Sequence, residues 1–229
     1  MRKQILLIGM VIAVGVAGII GYNLFKTPEA ATTLIDSTTV AETISEEISD
    51  ASGTVYTIDT TSSEARFIID EILRNVDTTV VGTTSQVSGQ IALDSSDVQM
   101  AEISEILINA RTLATDQNMR NRAINNQILQ TGQYEYISFV PTQLVGLPDA
   151  VTPGQTYNFQ IVGDLTIIGQ THKVTFDTQA TLATEAELTG LATTTLKYED
   201  FGITIPFAQA VQAVADDVTL ELEFTAKAG

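Results

Sequence analysis

Residues able to do reaction chemistry are scarce in this chain. It carries one histidine, His172, and no cysteine among its 229 residues, which rules out a multi-histidine metal site, thiolate ligands, a cysteine nucleophile and disulfides. A Ser-His-Asp arrangement would have to use His172, which falls in a predicted hairpin turn beside Lys173 and follows no Gly-x-Ser-x-Gly elbow. Carboxylates are plentiful, but the pairs Glu46–Glu47 and Asp216–Asp217 read as solvated charges rather than as an acid and a base. Asp94 and Asp97 are spaced to touch a calcium ion, yet their loop lacks the EF-hand pattern. No glycine-rich phosphate loop occurs. The residues therefore give no catalytic group, no metal ligand set and no cofactor site.

What the spacing does support is the burial of hydrocarbon. From Tyr157 to Phe176 the chain reads as a β-hairpin, with Tyr157, Phe159, Ile161, Leu165 and Ile167 on one side of the first arm. Asn158, Gln160, Asp164 and Thr166 fall on the other, the period-2 pattern of a half-buried strand. Gly169 to His172 are expected to form the turn, after which Val174 and Phe176 resume the apolar side. The same alternation recurs along the chain. Phe67 and Ile69 oppose Arg66 and Asp70, Ile137 and Phe139 share a face, and Leu220 and Leu222 alternate with Glu221 and Glu223. Further strands are expected at Tyr56–Ile58, Thr78–Val81, Gln86–Leu93 with a bend at Gly89, Glu102–Ala110 and Glu187–Thr195. Many short amphipathic strands argue for an all-β antiparallel sandwich or barrel rather than a parallel sheet buried on both faces.

One segment breaks the pattern. Asp116–Leu129 has few β-branched residues, a cap at Thr115 or Asp116, and a helical stripe of Met119, Ala123, Ile124 and Ile128. A helix there would lie across a sheet or a barrel mouth and place Arg120 and Arg122 beside the opening. Two readings stay open for these arginines: contact with an anionic head group, or pairing with neighbouring carboxylates.

Ile5 to Tyr22 holds no charge over 18 residues and follows Arg2 and Lys3. As a helix it would be about 27 Å long, near the hydrocarbon thickness of about 30 Å. Residues 1–26 are expected to be a retained signal anchor, with the body of the chain extracytoplasmic; cleavage, giving a secreted or periplasmic domain, is the alternative. Residues 27–53, rich in Ser, Thr, Glu and Asp, read as an acidic linker, and residues 54–229 as one domain. The formal charge of −17, from 28 acidic and 11 basic side chains, makes nucleic acid an unsuitable partner.

Tyr56-Thr57-Ile58-Asp59, Thr115-Asp116 running into Arg120, Phe139-Val140-Pro141-Thr142, Gly163-Asp164-Leu165-Thr166-Ile167 followed by Gly169 and Thr171, and Phe201-Gly202-Ile203 follow one another along the chain, and together they resemble the YceI-like family. The resemblance covers Val55–Ala226. It implies a lipocalin-like antiparallel barrel of about eight strands with one short helix, and a protein of the bacterial envelope that binds lipid or polyisoprenoid. The chain departs from the family where many members carry histidines: Ser62 stands at one such position, and the helix reads Arg120, Asn121, Arg122, Ala123, Ile124. The head-group contacts of relatives therefore do not transfer.

The expected function is extracytoplasmic binding of an apolar lipid, a quinone or prenyl carrier, in the barrel lumen. Its expected wall is Phe67 and Ile69, Ile137 and Phe139, Phe159, Ile161 and Leu165, Val174 and Phe176, and Leu220 and Leu222, with Arg120 and Arg122 near the head group. The expected partners are the lipid and, through the leader, a membrane; a homodimer is compatible with this. The alternative is a non-catalytic interaction module with a filled barrel, and a hollow interior separates the two.

Overall fold

The computed structural model describes residues 53–229. The anchor expected over 1–26 and the linker up to residue 52 lie outside the described residues. Among the described residues, thirteen strands form one antiparallel sheet curled into a half-barrel. They are β1 Thr54–Ile58, β2 Glu64–Leu73, β3 Val76–Thr84, β4 Val87–Ser88, β5 Gln90–Leu93, β6 Glu102–Ile103 and β7 Ile106–Asn109. After a short helix α1, Asn118–Ala123, come β8 Tyr136–Val145, β9 Thr156–Ile167, β10 Gln170–Thr184, β11 Glu187–Lys197, β12 Val211–Val214 and β13 Asp217–Ala228.

The strand order is β4-β7-β8-β9-β10-β11-β13-β1-β5-β6, with β2 joining β13, β3 and β12 off this path. Its count exceeds the expected eight because bends break single runs into pieces. The run 87–93 is interrupted at Gly89, so that β4 pairs with β7 while β5 pairs with β1 and β6. The curl thereby brings β4, at one end of the order, within one residue of β5, the strand next to the other end. The run expected over Glu102–Ala110 is likewise split into β6 and β7 before a 3₁₀ turn at Ala110–Thr112. β12 answers to no expected strand; it is a short edge piece held on β2.

The hairpin pairs as its alternation requires, with Leu165 opposite His172 and Ile161 opposite Phe176. Its turn is tighter than expected. Ile168 and Gly169 alone make it, at φ of 44° and 77°, the left-handed pair of a two-residue turn whose twist matches the strands. His172 is accordingly not in the turn but in β10, exposed, with its ring edge-on to that of Phe201 at 4.9 Å.

Inward positions of the strands meet in one core. Tyr56, Ile58, Leu165, Ile167, Phe201 and Ala226 are among its most buried members. Three inward phenylalanines lie against glycines of neighbouring strands. A Cβ on Gly82 would come within 2.1 Å of Phe67, one on Gly163 within 2.5 Å of both Phe139 and the Val140 carbonyl, and one on Gly190 within 2.6 Å of Phe224. The missing side chain lets each ring settle on the sheet instead of standing out from it.

The first and last strands are tied at one edge. Asp59 N–H donates to the Thr225 carbonyl at 2.8 Å, and the Asp59 carboxylate takes hydrogen bonds from Lys227 and from Thr61. Those bonds, that of Lys227 foremost, hold the Asp59 carboxyl far below the ordinary carboxylate range.

A group with a depressed folded-state pKa stabilises the fold fully above its unfolded value and loses that share as the pH falls toward the folded one. Asp59→Asn should therefore unfold at lower denaturant than the parent at pH 7, and the two curves should converge as the pH drops below 3.8, the ordinary value for an aspartate. Gly163→Ala should cost about 1–3 kcal/mol by overpacking, read as a lowered urea midpoint with an unchanged slope.

Candidate functional site

The apolar faces of the curled sheet surround a cavity of about 300 Å³. Its wall comes from the inward-facing residues of successive strands, so the period-2 alternation of the sequence is what makes it apolar. The wall is hydrocarbon apart from Arg66, Glu71, Arg120, Thr178, Tyr198 and Glu221. Phe139 and Phe176 meet edge to face within it, ring centres 5.0 Å apart, a favourable geometry for aromatic pairs. Three of its rings, Phe67, Phe139 and Phe224, are the ones that rest on glycines.

Ten of the eleven residues expected in the wall are there. Phe67 and Ile69 enter from β2, Ile137 and Phe139 from β8, and Phe159, Ile161 and Leu165 from β9. Phe176 of β10 and Leu220 and Leu222 of β13 complete the group. Val174 does not reach the cavity. It shares the inward face of Phe176 but sits one step nearer the hairpin turn, where it packs against the buried cluster.

The helix is shorter than expected. Only Asn118–Ala123 is α-helical, and Ile124–Ile128 forms a π turn. Gln117 stands at its N-cap and offers no side-chain bond; the Asn121 Oδ1 instead accepts from both the N–H and the hydroxyl of Thr115 at 2.7 Å. Ile124, Ile128 and Leu129 line the cavity, whereas Met119, expected on the apolar stripe, is 82% exposed.

The two arginines part company. Arg120 lines the cavity, and its side chain is 16% exposed; Nη2 donates to Glu71 Oε1 at 2.7 Å and Nη1 to Asp116 Oδ1 at 2.6 Å. Arg122 is exposed and is not part of the wall. Glu71 had no place in the sequence reading, although the signal was present: Ala65, Phe67, Ile69 and Glu71 are in one phase, so a carboxylate follows two ring-and-aliphatic wall positions inward. Its charge suits the interior only because Arg120 meets it there. Thr178 continues the phase of Val174 and Phe176 and is 2% exposed, its hydroxyl donating to the Phe176 carbonyl at 3.4 Å.

The remaining polar candidates are occupied locally. Asp94 Oδ1 accepts from the N–H and hydroxyl of Ser96 at 2.9 and 2.7 Å, a turn rather than an ion site. Among the described residues no group of three or more His, Cys, Asp or Glu side chains is placed to hold a metal. Ser62, at the family's histidine position, lies beside Asp59, its hydroxyl 3.5 Å from Oδ2, and is not in the cavity wall.

Solved structures of similar fold are known. A polyisoprenoid-binding domain from Saccharophagus degradans, implicated in plant cell wall breakdown, superposes with a TM-score of 0.58 at 13% identity, covering 77% of this chain and 99% of that one. BcnA from Burkholderia cenocepacia gives 0.60 at 19% identity, covering 74% and 99%. The Campylobacter jejuni YceI protein gives 0.50 at 15% identity, covering 62% and 80%. No curated protein matches the sequence. Residues 56–226 match the YceI-like domain, and with that span, the half-barrel and its apolar interior in agreement, the chain belongs to the YceI-like family.

Proposed function

We propose that this protein holds the tail of an isoprenoid lipid inside the half-barrel, for storage, shielding or transfer. The observation that carries this reading is the 300 Å³ cavity with its almost unbroken hydrocarbon wall. Water gains few hydrogen bonds in such a space, whereas each methylene moved into it from water contributes about 0.8 kcal/mol. The similarity of fold to a polyisoprenoid-binding domain supports the same choice of ligand class. A filled interaction module is disfavoured by the cavity itself.

Polarity gives the ligand a direction. Glu71 and Arg120 are the buried charges at one end of the wall, and Arg120 is the group placed to meet a head group that displaces Asp116 from it. The uncharged run after Arg2 and Lys3 supports an extracytoplasmic domain tethered to the membrane from which its ligand comes.

Native mass spectrometry of the full chain, purified from its own host in mild detergent, should reveal a bound species of isoprenoid mass. Leu165→Asp, which puts a carboxylate at a site 2% exposed, should abolish that species while circular dichroism retains the β signature; a parent protein that carries and accepts no prenyl lipid would refute the reading. Arg120→Met should weaken farnesyl phosphate relative to farnesol by about tenfold or more, the worth of a hydrogen bond to a charged group, in a competition assay.

A further inference from the structure

A second, smaller cavity of about 60 Å³ lies behind the first. The two share five wall residues, Ile91, Ile103, Phe159, Ala180 and Leu188. Beyond this partition the small cavity is bounded by residues absent from the large one, among them Val98, Leu144, Leu147 and Val151. Its wall is apolar throughout except for Tyr157, whose hydroxyl is engaged with the Thr152 N–H at 3.0 Å.

The small cavity is at the far end from the buried charges. Strand β13 supplies the scale: Thr219 pairs with Ile68, on the side toward Glu71, while Ala226 pairs with Leu188 in the partition. Seven residues of strand separate the two levels, roughly 23 Å. A ligand with its polar end near Arg120 thus points its tail at the partition.

Volume makes the partition matter. At about 30 Å³ for each water-sized group, 300 Å³ takes about ten carbon-sized groups, two isoprene units. A longer tail needs more room, and the adjoining room of matching chemistry is the small cavity. Of the five partition residues, Phe159 alone is aromatic. It is half-buried, and its ring is the largest volume that could move aside.

We infer that the small cavity is a terminal subsite for the isoprenoid tail and that Phe159 sets the tail length the protein accepts by standing between the two cavities. This rests on the lipid-binding reading above.

The test offers the full chain an equimolar mixture of geraniol, farnesol and geranylgeraniol, and reads the bound ratio by native mass spectrometry. Each further buried methylene is worth about a fourfold gain in affinity. Phe159→Ala should therefore raise the ratio of farnesol to geraniol by at least about tenfold. Phe159→Leu, a milder change that guards against loss of folding, should move it in the same direction. Adding Val151→Phe to Phe159→Ala refills the small cavity from its far wall and should return the ratio toward that of the parent. An unchanged ratio in both Phe159 variants, with uptake intact, overturns the length-setting role and leaves lipid binding standing. Uptake of none of the three alcohols by the parent overturns the lipid-binding reading, and this inference with it.

Discussion

The interior of this protein is hollow because its phenylalanines lie down. A phenylalanine facing the axis of a small curled sheet ordinarily fills the lumen, and small barrels are closed by such side chains. Here Phe67, Phe139 and Phe224 rest on Gly82, Gly163 and Gly190 of adjoining strands, so closely that a single added carbon would collide with each ring. The volume a Cβ would have taken is given to the ring, and the volume of the ring is returned to the lumen. The absence of tryptophan from the chain works in the same direction. The apolar space is thus a product of paired residues on neighbouring strands.

Charges fix the frame around this space. Asp59 joins the edge of β1 to the end of β13 through Lys227, closing the ends of the domain on each other. Arg120 joins the helix to β2 through Glu71 and reaches Asp116 one helical turn away. The second of these is a buried pair, which costs desolvation on both partners and stabilises little by itself. Its effect is one of position: it fixes a six-residue helix, too short to persist alone, over the end of the cavity, and it leaves a guanidinium at the boundary between hydrocarbon and polar surroundings.

Much of this was legible in the residues. Period-2 alternation places Phe67, Phe139, Leu165, Phe176 and Leu222 on the inward face, because inward and outward environments differ sharply along an antiparallel strand. Gly89 marked a real break. Local chemistry was harder to read. The turn at Ile168 places a β-branched residue at positive φ, which propensity argues against, so the residues point to a later turn that takes in His172. Met119 shares helical spacing with Ala123, but on an α-helix it stands about 140° round the axis from Ile124, so with Ile124 turned to the cavity Met119 is left in solvent. Glu71 was in phase with the wall, yet a carboxylate at an inward position is acceptable only with a partner 49 residues away in sequence, and alternation cannot supply that. The seating of rings on glycines is likewise a pairing between strands: register decides it, not either strand alone.

The YceI-like half-barrel has a largely hydrocarbon interior with charged side chains at a few wall positions, Glu71 and Arg120 among them. In the proposed lipid-binding role, Leu165 and the rings would supply transfer free energy without direction, and Arg120 would orient a charged head group. The central claim is that the space between the rings is dry and open to hydrocarbon. Diffraction from crystals of the protein under xenon pressure tests it most directly, since xenon enters empty apolar cavities. The account predicts xenon density inside the wall formed by Phe67 and Leu220 on one side and by Phe139, Leu165 and Phe176 on the other; electron density showing side chains of β2 and β13 in contact with those of β8 and β9 across the interior, with no xenon bound, would contradict it.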